Sequence, residues 1–199
     1  MEWDYKRDLA RLQRQGKGIP RFVFIASPCN AWSLMRYGKG RIPPGKEEIA
    51  KAKDLVRQTE RILRHIQRML DADCPGAELL VVWENPSSAR ERGLMQFLKD
   101  DGILDRLGLQ VVETSQCAWG FNYSKPTHFA TNLRRIEAIM VPPCIRGTIH
   151  GKCQKAEEHD DVRTIARELA YRLPTALINV MGWMAYNQIL EQDRRRQRG

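Results

Sequence analysis

The short apolar run from Phe22 to Ala26 constrains the fold of this chain more than any other segment. Its residues, Phe-Val-Phe-Ile-Ala, are aromatic and β-branched, which is typical of a buried β-strand. Pro28 lacks the N–H group that a further ladder bond needs, so we predict that the strand stops there and a loop begins. Cys29 therefore follows the carboxyl end of a core strand, where open α/β sheets collect ligands and chemistry.

Strands and helices alternate along the rest of the chain. Further strands are predicted at residues 78–83, 109–114 and 128–133. Helical spacing of apolar residues and glycine or proline breaks predict helices at residues 8–15, 47–70, 87–107, 162–171 and 174–192. The alternation indicates an α/β fold whose mostly parallel sheet is covered by helices on both faces. In such a sheet Cys29 lies at the same edge as the turn Glu84-Asn85-Pro86, which is expected to end the second strand.

Composition limits the class of protein. The chain has 199 residues and 42% hydrophobic content, which fits one domain with its own core. No apolar run reaches the length of a membrane span and no signal peptide opens the chain, so we predict an intracellular protein, cytoplasmic in a bacterial or phage-infected host or nuclear in a eukaryote. Five cysteines, an odd number, suit a reducing compartment. The net charge of +9 favours a polyanionic partner, although a solvated basic surface explains it equally well.

A thiol beside a carboxyl at one sheet edge permits covalent catalysis. The Cys29 thiolate would be the nucleophile, and Glu84 would act as an acid or hold a protonated nitrogen of the substrate. The alternative is structural, because cysteine often packs as a small hydrophobic residue.

The order of the motifs resembles that of the cytosine-5 DNA methyltransferases, particularly their short forms in phages and mobile elements. The resemblance covers residues 22–132 well and extends to residues 171–177, which are similar to the family's closing helix. It implies a partial Rossmann-like methyltransferase sheet within a single catalytic domain over residues 1–199. The motifs that carry it are Ser-Pro-Cys29, Glu84-Asn85-Pro86, the segment 115–127 (SQCAWGFNYSKPT) and Thr131-Asn132.

The resemblance also implies a role for each matched residue. Cys29 would attack C6 of a cytosine rotated out of double-stranded DNA, and Glu84 would engage N3. Asn85 would brace the loop of the nucleophile, and Lys125 would place a cation near the base. S-adenosylmethionine would then supply the methyl group to C5. The family often carries an arginine where this chain has Thr127, so its basic cluster is reduced here.

The family's cofactor-binding half has no counterpart in the sequence. It requires a glycine-rich turn after a first strand, and the residues before Arg21 contain none. We therefore expect an N-terminally incomplete domain that binds S-adenosylmethionine weakly or not at all without a complementary cofactor-binding polypeptide. Asp4, in a segment similar to the family's adenine-proximal motif, and Pro28 are the candidate cofactor contacts. A truncated gene model, a split enzyme and an inactive remnant all fit.

A small loop-rich insertion is predicted at residues 140–161, where the family reads its target. It holds a set of thiols and imidazoles that would suit a structural zinc ion, namely Cys144, His150, Cys153 and His159. An ordinary polar loop is the alternative. Candidate DNA contacts elsewhere are Lys39, Arg41, Tyr123 and Lys125, and the basic tail at residues 193–199 would add salt-sensitive affinity.

Three hypotheses about function follow from the sequence. The first is a cytosine-5 DNA methyltransferase-like domain. The second is a catalytically inactive or partner-dependent DNA-binding remnant of such an enzyme. The third is an unrelated cysteine enzyme, such as a hydrolase, in which Cys29 pairs with a histidine that no motif places.

Overall fold

The computed structural model describes residues 5–27, 31–32, 42–86, 93–115, 119, 126–138, 140 and 175–198. The helices are α1 (Tyr5–Arg14), α2 (Lys46–Asp73), α3 (Leu94–Asp100), α4 (Ile103–Leu107) and α5 (Thr175–Arg196). The strands are β1 (Phe22–Ala26), β2 (Leu80–Pro86), β3 (Gln110–Ser115) and β4 (Pro126–Thr131), and a short 3₁₀ turn covers Ile136–Ala138. The α/β class predicted from the alternation is confirmed.

The four strands form one mixed sheet in the order β1-β2-β4-β3. β1 and β2 are parallel, whereas β4 runs antiparallel to both of its neighbours. The prediction of a mostly parallel sheet was therefore wrong for the β4 pairings. Residues 116–125, which join β3 to β4, are too few for a parallel crossover, because that connection takes about a dozen residues or more.

Helices cover both faces of the sheet, as the sequence indicated. Alternate residues of β2 enter opposite cores, because side chains of a strand point to alternating faces. Val81 and Trp83 pack in the core under α2, α3 and α4, whereas Leu80 and Val82 pack in the core under α5. All four side chains are buried, which explains why the sequence of β2 reads as a continuous apolar run rather than an alternating one.

The helices α1 and α2 lie within three residues of their predicted bounds, whereas two later helices differ more. The predicted helix at residues 87–107 is divided within its described part, where Gly102 adopts a left-handed conformation with φ of +68° between α3 and α4. The last helix continues through Arg196, so most of the predicted basic tail is helical. Its end is held to the start of β1, because Arg21 donates to both carboxylate oxygens of Asp193 over 2.7 and 2.8 Å.

None of the helices within the described ranges combines the length and apolar character that a bilayer span demands.

Candidate active site at the carboxyl end of the parallel strands

The parallel strands β1 and β2 end at the same edge of the sheet. Ala26, the last residue of β1, is the register partner of Glu84 on β2. The prediction that Glu84-Asn85-Pro86 forms a turn after the strand was wrong, because all three residues belong to β2. Antiparallel β4 extends the ladder to them, pairing Glu84 with Phe129 and Asn85 with His128. The end position of Pro86 suits a residue that cannot donate a ladder bond.

Both polar residues at the end of β2 are buried. Glu84 is 5% exposed and Asn85 is 1% exposed. Neither Oδ1 nor Nδ2 of Asn85 hydrogen-bonds to any residue in the part of the chain that the structure describes. A buried amide without partners is costly, and most buried polar side chains have at least one. Asn85 therefore retains donor and acceptor capacity for a group beyond those described residues.

The chain on either side of residues 28–30 is anchored to the core. Trp83, fully buried on β2, donates its indole Nε1–H to Ser27 Oγ over 2.6 Å. On the far side, Ala31 and Trp32 are buried. The Trp32 ring stacks on Phe97 of α3 with centroids 5.5 Å apart. Two separate contacts thus fix where the chain leaves β1 and where it re-enters the core.

Charged groups surround the ring that receives Trp32. Lys53 Nζ and Arg57 Cζ on α2 lie 5.2 and 5.5 Å from the centroid of Phe97, within the range of cation–π attraction. Arg57 also donates to Asp101 over 2.8 Å. This hydrogen bond lowers the pKa of the Asp101 carboxyl and raises the pKa of Arg57.

The start of β2 is fixed by the Thr131-Asn132 pair at the end of β4. Thr131 Oγ1 donates to the Val81 carbonyl over 2.6 Å. The Asn132 side chain accepts from Val81 N over 2.8 Å and donates to the Leu79 carbonyl over 2.8 Å. The amide thereby continues the ladder after β4 ends, which gives a physical reason for the motif singled out in the sequence.

The sequence did not indicate His128 as a residue of this site. It is the register partner of Asn85, and its Nε2 lies 3.6 Å from Glu113 Oε2 on β3. Its pairing across two strands depends on the antiparallel placement of β4, which the sequence did not predict. The Ser27 anchor and the Trp32 stack were also missed, since neither side chain carries a signal that identifies its partner.

Most of the other predicted site residues lie outside the described ranges. This applies to the nucleophile candidate Cys29, to the candidate cation Lys125 and to the cofactor candidates Asp4 and Pro28. It applies also to the candidate DNA and zinc ligands, namely Lys39, Arg41, Tyr123, Cys144, His150, Cys153 and His159. The predicted insertion at residues 140–161 is described only at Met140. Within the described residues no cluster of three or more histidine, cysteine or acidic side chains offers a metal site.

Comparison with known proteins found no match to the chain among protein-family models, curated proteins or solved structures. Its residues and their geometry are therefore the basis for assigning a function.

Proposed function

We propose that this chain is a DNA (cytosine-5) methyltransferase-like domain in which Cys29 and Glu84 act on a single extruded cytosine. The observation that carries the proposal is the register of Ala26 with Glu84 in a parallel pair. Cys29 follows Ser27 by two peptide links, which span about 7 Å at most. Ser27 is hydrogen-bonded to Trp83, the residue before Glu84, so the chain leaves β1 toward Cys29 beside the end of β2 that carries Glu84.

The sheet places the candidate residues where this class of chemistry requires them. Among the described strands, β1 and β2 form the parallel pair, and the crevice at the carboxyl ends of such strands is where open α/β sheets bind ligands. A fold by itself hosts many functions, so the side chains at the strand ends have to carry the assignment.

The proposed chemistry begins with addition to the pyrimidine. The Cys29 thiolate forms a bond from Sγ to C6, and the C5–C6 π electrons shift into the ring and make C5 nucleophilic. Glu84 holds a proton at N3, which accepts the electron density that addition delivers. When C5 takes an electrophile and later loses its original hydrogen as a proton, the Sγ–C6 bond breaks and the thiolate leaves. Burial of Glu84 suits this role, since water would compete for the N3 contact.

The environment of Asn85 supports its predicted role, in which the amide braces the loop that carries the nucleophile. Its buried amide has unused hydrogen-bonding capacity among the described residues, and it lies one residue beyond Glu84 at the strand end. Strand alternation places Asn85 on the same face of the sheet as Trp83, which already bonds Ser27. A group in residues 28–30 is thus a suitable partner for the Asn85 amide.

S-adenosylmethionine is the methyl donor that the resemblance implies, but the described residues do not fit it. The ends of the described strands carry no glycine-rich turn, which is the cradle this family uses for the cofactor. Under this proposal the chain's own residues activate the base, and a complementary cofactor-binding polypeptide is one candidate for holding the methyl donor.

A trapping experiment tests the proposal. Duplex DNA carrying 5-azacytosine is incubated with the protein without a methyl donor. When the Cys29 thiolate adds to C6, the ring π electrons move to the nitrogen at position 5, which takes a proton from water, and the adduct is retained. Cys29→Ser and Glu84→Gln are the paired variants. We expect an adduct, stable in denaturant, with the unchanged chain and none with Cys29→Ser.

Two observations favour one alternative, a DNA-binding remnant without catalysis. The net charge is +9, and the ends of the described strands carry no glycine-rich turn for the cofactor. Salt-dependent duplex binding by the unchanged chain and by Cys29→Ser, with no adduct in either case, would establish that alternative and overturn the proposal.

A further inference from the structure

The most apolar strand of the sheet is only partly covered. In β1, the residues from Phe22 to Ile25 are only half-buried and Ala26 is exposed, whereas residues 80–85 of neighbouring β2 are all buried. β1 lies at the end of the strand order, and no described strand pairs with its outer side. Natural edge strands are normally protected by charges, proline or bulges, and the sequence of β1 contains no charge and no proline.

The free hydrogen-bonding groups on this edge follow from the register. Leu80 N donates to the Arg21 carbonyl over 2.9 Å, and Phe22 is the register partner of Leu80. In a parallel ladder alternate residues of a strand bond one neighbour. The peptide groups of Phe22, Phe24 and Ala26 therefore point away from β2, which leaves a row of N–H and C=O groups for another strand.

A groove of about 870 Å³ adjoins this edge, between α1, β1 and α2. Apolar side chains from all three elements line it, including Leu9, Leu12, Val23, Ile25, Leu55 and Ile62. Leu55 is 45% exposed, although it faces the groove from the middle of α2. Apolar surface of this kind beside an unpaired edge matches the two requirements of strand addition, which are main-chain bonds and pockets for alternate side chains.

The charges beside the groove discriminate between kinds of partner. Helix α1, which supplies Asp8, Leu9 and Leu12 to the lining, carries four basic residues against that single acidic one, and α2 adds Arg61. A second copy of this chain would bring the same basic helix to the interface, and like charges in contact oppose association. An acidic partner is complementary.

We propose that the outer edge of β1 binds an extended apolar strand of a separate, acidic polypeptide, which adds a parallel or antiparallel fifth strand to the sheet. The inference goes beyond methyl transfer and holds whether or not Cys29 is catalytic.

A labelled synthetic peptide with the sequence Glu-Asp-Val-Thr-Val-Ile-Val-Asp-Glu serves as the probe, and fluorescence anisotropy measures its binding to the full chain. The variant Ala26→Pro removes one outward N–H at the strand end, and Ala26→Ser keeps it. We expect Ala26→Pro to weaken binding at least about tenfold, because the peptide loses a hydrogen bond to the strand. Ala26→Ser should bind the peptide as the unchanged chain does. A probe with proline in place of its central valine should also lose binding, and this control is independent of whether Ala26→Pro folds.

Three results would overturn the inference. The first is the absence of binding at millimolar probe. The second is equal binding of the proline-containing probe. The third is a dimer of the unchanged chain in sedimentation that Ala26→Pro dissociates, since this would assign the edge to a second copy.

Discussion

The indole of Trp83 donates a hydrogen bond to Ser27 Oγ over 2.6 Å, and this bond joins the two parallel strands at the edge where the candidate chemistry lies. Trp83 is fully buried, and the Ser27 hydroxyl is the acceptor that satisfies its indole N–H. The same contact fixes the direction in which the chain leaves β1 toward Cys29. It therefore affects stability at the point where the chain leaves β1.

Replacing Ser27 by alanine should destabilise the fold by about 1–3 kcal/mol, the cost of a buried donor left without an acceptor. Urea unfolding measures the change. Thr59→Ala is the matched control, because the hydroxyl of Thr59 donates to the Leu55 carbonyl within its own helical turn, in an exposed hydrogen bond. We expect that control to stay within about 0.5 kcal/mol of the unchanged chain. Equal effects of the two substitutions would show that the Ser27 bond contributes nothing specific.

Replacing Trp32 by alanine should cost about 3–5 kcal/mol, as for other large buried aromatic residues, because it empties the site against Phe97. Trp183→Ala offers a control with the same change in side chain, since Trp183 on α5 is 67% exposed. That control should alter the free energy of unfolding by no more than about 0.5 kcal/mol. Thermal unfolding of the three proteins distinguishes them. A Trp32→Ala protein as stable as Trp183→Ala would contradict the anchoring of the chain at this residue.

Arg106 on α4 neutralises a carboxylate buried on α2. Its guanidinium donates to Glu60 over 2.6 and 2.9 Å, and the Glu60 side chain is 7% exposed. Arg106→Met should therefore destabilise the fold by about 2–3 kcal/mol, because Glu60 would remain buried with Arg64, 3.9 Å away, as its remaining ion-pair partner among the described residues. Lys51→Met breaks an exposed pair with Glu47 and should cost less than about 0.5 kcal/mol. Denaturant midpoints for both variants test the difference, and an Arg106→Met midpoint that does not move would refute the role of this pair.

Acid titration should reveal the Arg57–Asp101 pair. The hydrogen bond from Arg57 lowers the pKa of Asp101 in the folded protein below its ordinary value. The unfolded chain thus binds a proton at higher pH than the folded one, so the pair stabilises the fold above the ordinary pKa and the contribution disappears as pH falls through the folded pKa. Asp101→Asn should remove this part of the acid destabilisation below about pH 4. Stability profiles of the two proteins that remain parallel from pH 6 to pH 2 would contradict the assignment.

The sequence predicted the local elements better than their pairing. The apolar runs identified β1 and β2, and their coincident ends followed from the parallel arrangement. The direction of β4 was not predicted, because it depends on the length of the connection from β3 and on the Thr131–Asn132 contacts to β2. Pro86 suggested a turn, whereas pairing with β4 keeps Glu84 and Asn85 within the strand. The helix also continues through Arg196, beyond its predicted end, and the bond between Arg21 and Asp193 is a long-range contact there that the sequence did not predict.

Exchange of the hydrogen at C5 of cytosine in duplex DNA tests most directly whether Cys29 and Glu84 act on one base. The exchange needs no methyl donor. The thiolate adds to C6, C5 takes a proton from solvent and then loses its original hydrogen as a proton, and the thiolate leaves. With tritium as the label at C5, Cys29→Ser should abolish its release and Glu84→Gln should slow its release at least about 100-fold. Glu113→Gln, a control on β3, should leave the rate of release unchanged. No release with the unchanged chain, or equal release with Cys29→Ser, would contradict the proposed site.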